Sequence, residues 1–185
     1  MNEQQLKQFR FYFTCAVTIT ISALLVWQYF NGGVPSHHLL QRADLPAISN
    51  WWGGVLLPII SWFFLERIHQ RIITDNNDEK KYPRAIIVGF ICALIYGAIF
   101  SASFAYGYTE LTSILLPGIL VLSLFFKIYR EECVLGFILS MSFVFGAVLP
   151  TIFGALVVAV SASIYHFVHF IWSRISLWLM KPKNN

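Results

Sequence analysis

Seven polar side chains stand close together between residues 31 and 52: Ser36, His37, His38, Arg42, Asp44, Ser49 and Asn50. A serine beside a histidine pairs a nucleophile with a base. His37, His38 and Asp44 are ligand types for a divalent metal such as zinc. Ser36, His37, His38 and Asp44 are therefore the candidate catalytic set, with the last three as candidate metal ligands. Arg42 is always charged and grips an anion through two parallel hydrogen bonds, which suits a phosphate or carboxylate. With Asn50 it forms a candidate substrate-binding group, joined by Glu110, the other acidic residue expected on that side. Adjacent histidines on a helix point in different directions, so joint ligation by His37 and His38 needs an irregular backbone. The plainer alternative is a connector whose polar residues meet water and headgroups.

A second group stands far along the chain. His166 and His169 are one helical turn apart and share a face, which the small residues Ala159 and Ala162 continue. That pattern predicts inward-facing histidines near the level of Glu66 and His69. Ionisable residues within a membrane are costly and are candidates for function. Glu66, His69, His166 and His169 thus form a candidate proton or metal relay. The competing reading is hydrogen-bonded histidines packing the end of a bundle.

Both groups depend on how the apolar remainder is arranged. The 185 residues are 57% hydrophobic and 12% charged, with a mean hydropathy of +0.66. Soluble domains are about 25% charged, so this excess of apolar residues must face lipid. A spanning helix needs roughly 20 mostly apolar residues. Six such runs are expected, at about 11–30, 51–68, 85–106, 111–129, 133–149 and 151–172, within a single domain covering 1–185. The first run is too long for a signal-peptide core and is read as a retained span. Residues 31–50 form an outer loop with a short interfacial helix over 37–42, and residues 69–84 form a charged loop. Trp27, Tyr29, Trp51 and Trp52 sit where an aromatic belt belongs.

Six spans place twelve of the thirteen basic residues on one side, leaving Arg42 on the other. The positive-inside rule makes that side cytoplasmic. The expected fold is an all-α integral membrane protein, a compact bundle of six transmembrane helices with both termini cytoplasmic. A bacterial inner membrane fits the short loops. The net charge of +4 reflects this topology, and no nucleic-acid partner is implied. Cys15, Cys92 and Cys133 show no metal-ligand spacing.

Small residues recur every four positions at Gly89, Ala93, Gly97, Ser101 and Ala105, a pattern for close helix packing. Thr14, Thr18 and Ser22, and Ala155, Ala159 and Ala162, are read the same way. A polar lumen lined by Thr14, Thr18, Ser22 and Ser101 is the alternative, and self-association through such faces is a further use. Pro58, Pro117 and Pro150 each fall in an outside-to-inside run, which would fit a triplicated hairpin or three unrelated prolines. The leading functional expectation is an outward polar site that binds or processes a lipid, lipid-linked or anionic substrate. A small transporter or channel with an inner His/Glu cluster, and a subunit of a larger membrane complex, are the alternatives.

Overall fold

The computed structural model describes residues 3–38, 44, 47–74 and 81–179. The elements are α1 (Glu3–Phe30), β1 (Ser36–His38), β2 (Ala47–Ser49), a 3-10 turn (Asn50–Trp52), α2 (Gly53–Thr74), α3 (Lys81–Ala105), α4 (Thr109–Phe125), α5 (Glu131–Phe145) and α6 (Val148–Leu179). An all-α bundle is what forms, with one small antiparallel ribbon added at one end. Three helices are long and apolar enough to cross a membrane, within Glu3–Phe30, Arg84–Ala105 and Val148–Trp172. α4 is apolar but shorter. α2 carries Glu66, Arg67 and Arg71 in its last turns, and α5 has only 15 residues. At 1.5 Å per residue, α5 reaches about 22 Å, short of the roughly 30 Å hydrocarbon layer.

α5 is short because it is enclosed. Five successive residues, Val134 to Ile138, are buried, so along this stretch the helix is covered by protein on all sides. The stripe expected on α3 makes its closest approach possible. Gly97 and Ser101 are buried and Gly89 and Ala93 half-buried, while Ala105 is exposed. A Cβ at Gly136 of α5 would lie 2.5 Å from the Phe90 carbonyl oxygen and 3.2 Å from the Leu94 nitrogen. The α3 and α5 backbones touch there, as small residues permit in lipid, where apolar burial gives little drive for association. Around this contact, Ile21, Leu25, Leu57, Val134, Ile138 and Ala147 form one core cluster. Phe100, Ile119, Phe137 and Met141 form another.

The other two stripes behave differently. α1 packs through Leu6, Ile21 and Leu25, with Thr14 and Thr18 half-buried beside them and Ser22 exposed. On α6 the buried positions are Pro150, Gly154 and Ser161, whereas Ala155 and Ala159 are exposed. The inward face of α6 is thus offset by a residue from the alanine stripe, with Gly154 against Ile138, whose Cγ1 would lie 3.3 Å from a Cβ added at Gly154. Pro58 lies in the second turn of α2, Pro117 near the middle of α4 and Pro150 in the first turn of α6. These are inequivalent positions, unlike those of a triplicated hairpin.

Helix ends sort into two groups. At one end, α1, α2 and α5 bring together Arg10, Glu66, Arg71, Glu131 and Glu132. At the other, the ribbon pairs Ser36 with Ser49, His37 with Ile48 and His38 with Ala47. An extended backbone at Ser36–His38 replaces the start of the interfacial helix expected over 37–42. The ladder with Ala47–Ser49 satisfies backbone groups that a helix would have satisfied locally. Residues 39–43 lie outside the described residues. Asn50 anchors the ribbon: its amide donates to the Pro35 carbonyl at 3.1 Å, and its side chain packs on Gly146. Gly146 has φ +69°, a conformation open to glycine at little steric cost, and a Cβ there would collide with the Asn50 carboxamide.

Candidate functional site

The ionisable groups that the fold gathers are at the end opposite the ribbon. Arg71, on the last turn of α2, extends its planar fork to two carboxylates. Nη1 donates to Glu131 at 2.6 Å and Nη2 to Glu132 at 2.5 Å. Both acids stand in the first turn of α5, where the positive end of the helix dipole favours them. Glu132 is 3% exposed, so Arg71 holds a buried charge. Arg67 approaches Glu131 at 3.9 Å from an exposed position and adds little.

One turn away on α2, Glu66 pairs with Arg10 of α1 and accepts from Gln70 Nε2 at 3.1 Å. The Arg10 guanidinium also lies over the Trp62 ring, 4.1 Å from its centroid, a favourable cation–π geometry. Beside this pair sits His69. It is 6% exposed, and both ring nitrogens are buried without a hydrogen-bond partner. The Arg10 Nε is likewise buried and unpartnered. Buried polar groups are nearly always hydrogen-bonded, so three such atoms in one place are unusual. Burial lowers the pKa of His69, and the positive charge of Arg10 lowers it further. Glu3 opposes this and Lys7 reinforces it more weakly. Burial and the Arg10 charge both disfavour the protonated imidazole.

Glu66 and His69 lie one turn apart on α2, whereas His166 and His169 stand elsewhere. Both are exposed on α6. His169 Nδ1 donates to the Tyr165 carbonyl at 2.9 Å, and its ring stacks on Tyr165 at 3.8 Å. His166 lies 5.8 Å from the Tyr129 ring. The inward-facing expectation fails for the same reason as the alanine stripe that suggested it. Among the described residues no group of three His, Cys, Asp or Glu side chains is placed to hold a metal ion.

Of the set expected at the ribbon end, Ser36, Asp44, Asn50 and Glu110 are among the described residues. Ser36 and Asp44 are exposed, and Asn50 is 7% exposed. The contact of Asn50 with Gly146 makes it a brace between ribbon and α5–α6 corner, whereas the sequence suggested a substrate ligand. Glu110 is exposed in the first turn of α4, its carbonyl accepting from Ser113 Oγ at 2.8 Å. Arg42 and the side chains of His37 and His38 lie outside the described residues.

No family model, curated protein or solved structure matches the chain. The site must be read from its own chemistry.

Sequence reasoning missed Arg10, Arg71, Glu131 and Glu132. Two successive acids opening an apolar run are a first-turn signature. A buried acid there requires a basic partner, and α2 ends with basic residues at the same level.

Proposed function

We propose that this chain is a six-span membrane protein, with both termini cytoplasmic, that moves a small solute in a proton-linked cycle, and that Arg10, Glu66 and His69 are the coupling groups. The observation that carries this reading is His69, an imidazole buried with both nitrogens free beside an arginine–glutamate pair. A group in that setting accepts a proton only when its surroundings rearrange. The rearrangement available is separation of α1 from α2, since Arg10 and Glu66 join those helices. The three residues come from two helices and adjoin a third, as working sets usually do. The twelve basic residues that six spans gather on one side put this cluster at the cytoplasmic face of a membrane, in keeping with a bacterial inner membrane.

The test is reconstitution of the full chain in vesicles containing a pH-sensitive dye, with an imposed membrane potential. Alkali cations, amino acids and organic acids are offered in turn. The expected result is proton entry that depends on one of these solutes and is lost in His69→Gln and Glu66→Gln. Vesicles no more permeable than protein-free ones under every condition would contradict it.

A further inference from the structure

A groove opens between α1 and α3, floored by α5, beginning about one helical turn from the charged cluster. Its cavity is about 300 Å3, bounded by Phe13, Ala16, Thr20 and Leu24 of α1 and by Phe90 and Leu94 of α3. Leu139, Ser142 and Phe143 of α5 complete the floor, with Leu57 of α2. The only hydroxyls in its wall are already used: Thr20 donates to the Ala16 carbonyl at 2.8 Å and Ser142 to the Ile138 carbonyl at 2.6 Å. The rest of the described lining is apolar, so the wall offers few partners to a polar ligand.

We propose that this groove holds an acyl chain of a membrane phospholipid, lying lengthwise between α1 and α3. The proposal rests on α1 and α3 crossing the bilayer but not on proton coupling. From Phe13 to Leu24, the groove follows α1 for about 17 Å at the helical rise of 1.5 Å per residue. Its volume accommodates roughly ten methylene-sized units, taking the roughly 30 Å3 share of a water molecule as a comparable size. Phe13 and Phe90 meet edge to face at 5.9 Å and close the groove toward the charged end. The small side chains of Ala16 and Thr20, both exposed, leave the channel open where a larger residue would fill it.

Native mass spectrometry of the detergent-extracted full chain tests this, with phospholipid from the host membrane as the probe. The expected result is a single retained phospholipid on the wild type, lost in Ala16→Phe and Thr20→Phe. Ile19→Phe, on the lipid face at 69% exposure, should keep it. A folded wild type that retains no phospholipid would overturn the proposal, as would equal retention in all variants, which marks general surface lipid. A dimer that Ala16→Phe disperses would assign the groove to self-association instead. Thermal melting of each variant separates loss of lipid from loss of fold. Proton flux is read independently, so the two proposals can fail separately. A chain released from membranes without detergent would remove the bilayer on which both depend.

Discussion

Arg71 and Glu132 show what single residues do in this fold. The glutamate is 3% exposed and its charge is held by an arginine 2.5 Å away. Removing only the arginine leaves a buried charge without compensation, which costs about 3–5 kcal/mol. Arg71→Leu should therefore lower the thermal midpoint strongly, and Arg71→Leu/Glu132→Leu should recover most of the loss. An equal loss in both proteins would show that the ion pair is not what Glu132 requires. His69 carries the opposite lesson. Its residue type and its place beside Glu66 were legible in the sequence, because both fall at the end of an apolar run. Its unpartnered nitrogens were not, since they depend on how α1 lies across α2, and no local pattern encodes that. For His37, His38 and Asp44, the ligand types are legible in the sequence, and the side chains of the two histidines lie outside the described residues. Chain neighbours converge only when the backbone turns them toward a common point.

Helices are specified more reliably than the faces they present. The α3 stripe was legible because glycine leaves no ambiguity about where another backbone can approach. The α6 stripe was misleading because alanine is at home on either face in lipid, and Gly154 with Ser161 mark the contact that forms. Gly136→Ala should force α3 and α5 apart at the Phe90 carbonyl, at a cost of about 1–3 kcal/mol. Gly89→Ala should cost less, because a Cβ there meets the movable side-chain atoms Glu132 Cγ at 3.3 Å and Cys133 Sγ at 3.4 Å. Comparing the melting of the two variants checks this, and equal tolerance would contradict the close backbone contact. The ribbon escaped sequence reasoning for a related reason. Three-residue strands show too little alternation to be seen, and their pairing is fixed by Asn50 reaching Gly146 from about a hundred residues away in sequence.

For the molecule as a whole, composition carried the membrane class, because so much apolar surface has no interior large enough to hide in. The number of crossings is harder to read. Three helices meet the length and hydropathy of a span, while α2 and α5 trade apolar length for charges that meet each other. That exchange links fold stability to protonation at the charged end, where His69 feels the charges of Arg10, Lys7 and Glu3 on α1. In the folded chain its pKa lies below the ordinary 6.5, so between those two values the unfolded chain binds a proton that the folded chain does not. Stability must fall as pH drops through that window. The deciding measurement is the thermal midpoint of the full chain in lipid nanodiscs from pH 7.5 down to about 5, above the range where carboxylates titrate, beside His69→Gln. The account predicts a midpoint that falls below pH 6.5 in the wild type and a flatter profile in the variant. Identical profiles in the two proteins would mean that His69 is not held neutral, and the coupling role proposed for it would be wrong.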